Sequence, residues 1–255
     1  MSALTKSLTS SGWRILAACA RQYSSLTTEL IENMDKKATW DRFYTETNSK
    51  APAFRNFEWF FGFDSVQDLI LPLLRTGSRP DGLLQVLDLG CGTSALGPSV
   101  YARCSLPVHV TCADISPVAV RLMREQTAAR SVRPLNLSSR LDFVELDCTQ
   151  LDTRFAADSV DLILDKGTTD ALLRSREGGG KADLLLRQCL KALRRSGSLL
   201  QFSDEDPDAR LPWLEAAAAA ACDQGLAGPR VAVQEVGELR GVCYYCYQVT
   251  APPTA

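Results

Sequence analysis

Beyond residue 82 the apolar residues gather in short runs, and between these runs apolar positions recur three and four apart. LLQVLDLG (83–90), VHVTCADIS (108–116), RLDFVELD (140–147), SVDLILDKG (159–167) and SGSLLQFS (196–203) read as buried strands. The residues from Ser94, from Pro117 to Arg130 and from Lys181 to Arg195 read as helices. Such alternation predicts an α/β fold, a mainly parallel sheet with helices on both faces. PRVAVQEVG and GVCYYCYQVT meet at the short GELRG region, which predicts an antiparallel carboxy-terminal hairpin and a total of seven strands. RSVRPLNLSSR and SREGGGK are expected as surface loops, the second because three consecutive glycines support no stable element.

Ahead of the sheet, Glu29 to Glu46 carries a helical pattern. FRNFEWFFGFDSVQDLILPLL (54–74) then places an aromatic cluster before an amphipathic helix that ends near Arg75. TGSRPDG (76–82) is a turn-rich boundary. It divides residues 29–80, a helical and aromatic segment, from residues 81–255, the sheet domain. Trp40, Trp59, Phe60 and Phe61 read either as core or as a lid over whatever the sheet binds.

The chemistry concentrates at strand ends. VLDLGCGTS (86–94) is a strand, a tight Gly90-Cys91-Gly92 turn and a helix start, a geometry that suits a dinucleotide or S-adenosylmethionine. A pyrophosphate favours unpaired N–H groups at a helix start, and Gly90-x-Gly92-x-x-Ala95 matches that fingerprint imperfectly. Asp88, two positions before Gly90, favours a cation instead, and S-adenosylmethionine carries an ammonium and a sulfonium. Asp114 ends the second strand, where a carboxylate accepts ribose hydroxyls from either cofactor. Asp147 ends the third, where it is placed to accept an adenine amino group. Ile115 and Cys148 follow these two acids and are assigned to the same pocket.

Charge and composition narrow the field. The 28 basic and 30 acidic residues leave a net charge of −2, without the basic excess of a phosphate-backbone binder, so nucleic acid is not an expected partner. No apolar run reaches the roughly 20 residues of a membrane span, so no membrane association is expected. Nine cysteines, an odd number without regular spacing, read as reduced core residues rather than a disulfide framework. Cys243 and Cys246 form a C-x-x-C within a strand, where positions three apart face opposite sides, so no metal site is expected there. His109 is the sole histidine and lies in a strand, which gives poor support to catalytic triads.

The first 28 residues differ from the rest. They carry Lys6, Arg14 and Arg21, many serines and threonines, and no acid before Glu29, and Leu4, Leu8, Ile15, Leu16 and Cys19 can share one helical face. This is the composition of a mitochondrial transit peptide, and the expected destination is the matrix.

VLDLGCGTS, CADISPVAV, DFVELDCTQL and LILDKGTTDAL resemble the successive motifs of the seven-strand lysine methyltransferases. FEWFFGF and QFSDEDPDARLP are similar to the branch of that family acting on mitochondrial citrate synthase. The likeness runs from about residue 38 to the end. It implies a Rossmann-like class I methyltransferase fold, with S-adenosylmethionine as cofactor, S-adenosylhomocysteine as product and no metal. It further implies cofactor contacts from Asp88, Gly90, Gly92, Asp114, Ile115, Asp147, Cys148, Asp165, Trp40 and Trp59, with a lysine of citrate synthase as the substrate. The DKGTTDA loop would then line the substrate channel. Asp165 and Asp170 are the candidates for orienting the amine, with Lys166 and Thr168 beside the substrate and Lys166 read as a fixed cation whose ion pair holds the loop rather than as a nucleophile. Asp204, Glu205, Asp206 and Asp208 form either a solvated turn or an acidic rim that attracts a lysine-bearing surface. Two other classes stay open: a nonenzymatic methyltransferase-fold binding factor of the matrix, and a nicotinamide oxidoreductase. A methyltransferase for another mitochondrial protein would share every cofactor residue named.

Overall fold

The computed structural model describes residues 32–49, 54, 56–76, 82–220 and 228–251. The apolar runs become strands β1 (Leu84–Leu89), β2 (Val108–Asp114), β3 (Arg140–Glu145), β4 (Val160–Lys166), β5 (Leu193–Ser203), β6 (Arg230–Leu239) and β7 (Val242–Thr250). They form one sheet ordered β3-β2-β1-β4-β5-β7-β6. The pairs among β1 to β5 are parallel, and β7 runs antiparallel to both β5 and β6.

Alternate side chains of β1 enter opposite layers. Leu84 and Val86 join one apolar cluster, Leu87 and Leu89 the other. Burial on both faces explains why β1, β2 and β4 read as continuous apolar runs rather than as alternating ones. Among the described residues, helices α1 (Lys37–Ser49), α2 (Gln67–Thr76), α3 (Leu96–Arg103), α4 (Pro117–Ala129), α5 (Thr168–Arg174), α6 (Gly179–Ala192) and α7 (Pro207–Ala220) accompany the sheet. The chain leaves β1 toward β2 on one side, whereas β4 returns to pair with β1 on the other. That reversal opens a crevice at the carboxyl ends of β1 and β4, the position where open α/β sheets bind ligands.

Three element boundaries differ from the sequence reading. The helix expected from Lys181 to Arg195 begins at Gly179 and stops at Ala192, because Leu193 is drawn into the sheet opposite Val160 and buried there. Gly179 and Gly180, expected in a loop, form the first turn of α6. Gly178 precedes them where a Cβ would overlap the Leu172 carbonyl, so a glycine lets α5 and α6 meet. The stretch read as one helix from Glu29 to Glu46 is interrupted among the described residues: Glu32 is helical, a turn follows at 33–35, and α1 then runs on to Ser49. The helix α5 had no counterpart in the apolar pattern. Residues 1–28, read as a transit peptide, lie outside the described residues. Among those described, no helix is long and apolar enough to cross a membrane. Cys243 is exposed and Cys246 buried, on opposite faces of β7.

Candidate active site

The loop after β1 is held by backbone geometry that glycine alone supplies cheaply. Gly90 and Gly92 have φ of +61° and +51°. A Cβ on Gly90 would overlap the Thr168 side chain, and one on Gly92 the Tyr44 hydroxyl. The Cys91 N–H donates to the Ala113 carbonyl at 2.9 Å and the Gly92 N–H to the Asp114 carboxylate at 2.8 Å. These bonds tie the loop to the end of β2.

The start of α3 settles which anions can approach it. Ala95 stands at the N-cap position without a capping side chain, and Glu58 supplies the cap from the aromatic segment, accepting from the Ala95 N–H at 2.7 Å. The Leu96 N–H donates to the Ser94 hydroxyl at 3.1 Å, and the Gly97 N–H to Asp88 at 2.9 Å. Three N–H groups at this helix start are thus already taken, two of them by carboxylates. A pyrophosphate finds neither free donors nor a favourable field here.

Burial sets the character of the strand-end acids. Asp88 is buried and its carboxyl is pushed up to about 7, burial outweighing the opposing pull of Lys166 and the Gly97 N–H. Asp114 accepts the Ser116 and Gly92 N–H groups at 2.8 Å each, and burial still lifts it to about 6. Asp147 is half-buried and caps the 3₁₀ turn at Cys148–Thr153 with one oxygen, which accepts from the Thr149 N–H at 2.8 Å and hydroxyl at 2.7 Å.

These residues surround a cleft of about 360 Å³. Asp88, Gly90, Gly92, Asp114, Ile115, Asp147, Cys148, Lys166 and Thr168 all line it, so the structure brings together most of the residues singled out in the sequence. The aromatic segment forms the facing wall. Trp40 stacks on Tyr44 with ring centres 5.9 Å apart, and Trp59 meets Trp40 edge-on at 6.4 Å. Trp59 packs among buried residues and also lines the cleft. Its indole N–H is buried without a protein partner.

The chain from Glu32 to α1 closes one side. Asp35 accepts from the Ser175 hydroxyl and from the Lys181 ammonium, the latter at 2.7 Å. Lys37 pairs with Glu145, and the Ser116 hydroxyl donates to Asp41 at 2.5 Å.

Two groups expected at the chemistry stand elsewhere. Asp165 is 1% exposed and does not line the cleft. One oxygen accepts from the Thr168 and Thr169 N–H groups, the other from the Thr169 hydroxyl and from Gln201 at 3.1 Å. Asp170 is likewise buried off the cleft, bound to Arg210 at 2.8 Å and to the Ser203 hydroxyl at 2.6 Å. Four donors on Asp165, and a buried guanidinium on Asp170, leave neither positioned to orient an amine.

The acidic segment after β5 is similarly committed. Asp204 is buried against Arg174, and Glu205 pairs with Arg210 at 2.8 Å. Neither lines the cleft, and of the four only Asp206 and Asp208 are exposed, at the start of α7. The run is therefore part structural network and part solvated turn.

The sequence reading missed Tyr44, Glu58 and Asp35. Glu58 had a visible signal, as the lone charge within FEWFFGF, and Tyr44 lies one helical turn from Trp40.

The donor set fits S-adenosylmethionine. Acids at three strand ends, two of them buried, suit its cationic and hydroxylated parts, the glycine positions allow close backbone approach, and the start of α3 offers no free anion site. Together the sheet order, the glycine loop and the strand-end acids define a class I, S-adenosylmethionine-dependent methyltransferase. Residues 80–231 match the methyltransferase domain family. The N-methyltransferase NodS from Bradyrhizobium japonicum WM9, solved with S-adenosyl-L-homocysteine, shares the fold. Its TM-score is 0.56 at 15% identity, covering 84% of this chain and 98% of that one. The mitochondrial citrate synthase-lysine N-methyltransferase of Danio rerio is 60% identical over 231 residues, 89% of this chain and 88% of that protein. Its Homo sapiens counterpart is 40% identical over 217 residues, 84% of this chain and 85% of that protein. This chain belongs to the citrate synthase-lysine N-methyltransferase family.

Proposed function

We propose that this protein transfers methyl groups from S-adenosylmethionine to a lysine of citrate synthase in the mitochondrial matrix. The observation that carries the cofactor assignment is the start of α3, where Glu58 and Asp88 occupy the N–H groups that a dinucleotide pyrophosphate would need. The substrate assignment rests on the likeness to relatives named for citrate synthase, and the matrix on the composition of residues 1–28. The partner is a protein rather than nucleic acid or a membrane.

When bound, S-adenosylmethionine supplies the electrophilic methyl group, so the reaction needs neither a metal ion nor strong acid catalysis. Asp88 would hold the ammonium of the cofactor, Asp114 its ribose hydroxyls and Asp147 the adenine amino group. Ile115 and Cys148 flank these contacts. Trp40 and Trp59 would border the cofactor and Thr168 the incoming lysine, and together they would exclude water, which favours the neutral amine that in-line attack requires. Asp165 sets the Gly167–Thr169 turn from below rather than touching the amine.

The test is to incubate the purified protein and labelled S-adenosylmethionine with an extract of unmethylated mitochondria, then map labelled lysines by mass spectrometry. Label on citrate synthase is expected. Label confined to other proteins would overturn the substrate, and no label on any protein would favour a binding factor.

A further inference from the structure

Glu58 touches three walls of the cleft at once. One carboxylate oxygen accepts from the Ala95 N–H at 2.7 Å. The other accepts from the Ser94 hydroxyl at 2.6 Å and the Lys166 ammonium at 3.1 Å. Lys166 in turn donates to the Trp59 carbonyl at 2.6 Å. Its side chain is only 4% exposed, although it lines the cleft.

The backbone these two residues hold is strained. Phe60 is buried with φ of +69°, a conformation costly for an aromatic residue, and strain of this kind persists only where neighbours enforce it. The Phe61 N–H closes the turn on the Trp59 carbonyl at 3.0 Å, so that carbonyl accepts from Phe61 and Lys166 together. The turn brings the Trp59 indole onto Gly167, where φ is +91° and a Cβ would overlap the ring. A buried ion pair is a poor source of stability compared with apolar side chains of similar size. Here it joins the cofactor loop, the end of β4 and the aromatic wall.

We propose that Glu58 and Lys166 are positioning residues that lock the glycine loop and the Trp59 wall in one register, so that methyl group and lysine amine meet in line. Neither touches the reacting atoms; both act through Ala95 and Trp59. The inference rests on the reading of the cleft as a methyl-transfer site. Lys166→Met breaks the link to Trp59 while leaving Glu58 on the Ala95 N–H. Lys166→Arg keeps the charge with altered reach.

Three quantities separate positioning from bulk stability: kcat and KM, S-adenosylhomocysteine affinity by calorimetry, and the tryptophan fluorescence change on adding that ligand. The Trp59→Phe variant assigns the Trp59 part of the fluorescence signal. Lys166→Met should lower kcat about 30-fold or more, hold ligand affinity within about 3-fold and abolish the Trp59 signal, with partial recovery in Lys166→Arg. Glu58→Gln should weaken ligand affinity about 10-fold as well, because it also loosens the glycine loop. Wild-type turnover and fluorescence in Lys166→Met would overturn the proposal, as would wild-type turnover per folded molecule in a partly folded variant. Should Lys166→Met not fold, Glu58→Gln decides, and wild-type kcat and ligand affinity in that variant would overturn it. A wild-type protein that binds S-adenosylhomocysteine with the Trp59 signal yet methylates no lysine defeats the functional reading instead, and the fluorescence arm still judges this one.

Discussion

The Gly92 N–H donates to the Asp114 carboxylate at 2.8 Å, so the loop after β1 and the end of β2 fix each other's position. This bond joins the two motifs from which the cofactor assignment was first read. Gly92 has φ of +51°, and a Cβ there would overlap the Tyr44 hydroxyl. Gly92→Ala should therefore reduce S-adenosylhomocysteine affinity by at least about tenfold. The backbone strain should cost only about 1 kcal/mol of stability. Calorimetry alongside thermal melting checks both halves.

Asp114→Asn should act on the same bond from the other side. Both carboxylate oxygens accept backbone N–H groups, so an amide must turn its NH₂ toward a donor. The mismatch, together with the lost charge, should cost about 1–3 kcal/mol of cofactor binding. A folded Asp114→Asn variant with wild-type affinity would remove Asp114 from the cofactor site.

Asp165→Asn and Asp170→Asn should behave as stability variants. Asp165 accepts four hydrogen bonds in the interior, and Asp170 is a buried partner of Arg210. Losing one partner of such a buried pair costs about 3–5 kcal/mol, so Asp170→Asn should show the larger drop in melting temperature. Activity per folded molecule should change less than the folded fraction. Full stability with strongly reduced kcat would return these residues to the chemistry.

The strands, the terminal hairpin, the glycine loop and the strand-end acids were legible because each is a local pattern. A five- to eight-residue apolar run ending in Asp or Asp-Leu-Gly announces both a strand and the group at its tip. The partners of those groups were not. Glu58 reaches Lys166 across 108 positions and Asp35 reaches Lys181 across 146, and no local period encodes such contacts. The surroundings of Asp165 and Asp170 were only partly legible. Asp165 closes a local turn on Thr168 and Thr169, whereas Gln201 on Asp165 and Ser203 and Arg210 on Asp170 arrive from 33 to 40 positions away.

The buried acids predict an unusual pH response. Burial raises Asp88 to about 7 and Asp114 and Asp165 to about 6, whereas an unfolded carboxyl titrates near about 3.9. Between about pH 4 and pH 7 these three groups therefore bind more protons in the folded chain than in the unfolded one, and their contribution to stability falls as pH rises. The unliganded protein should melt at a higher temperature at about pH 5.5 than at about pH 8, and Asp88→Asn should flatten the difference. An ammonium bound beside Asp88 favours the carboxylate, so S-adenosylhomocysteine binding should tighten toward pH 7 and release protons. Calorimetry in two buffers of different ionisation enthalpy measures that release; no release, with a flat melting profile, would contradict it.

The most direct measurement uses purified citrate synthase free of methylation, wild-type protein, Asp114→Asn protein and S-adenosylmethionine, read by intact mass and peptide mapping. The account predicts mass increments of one or more methyl groups on a lysine of citrate synthase with the wild-type protein, and far slower growth of the same peak with Asp114→Asn. Unchanged citrate synthase, in the presence of wild-type protein shown by calorimetry to bind the cofactor, would contradict it.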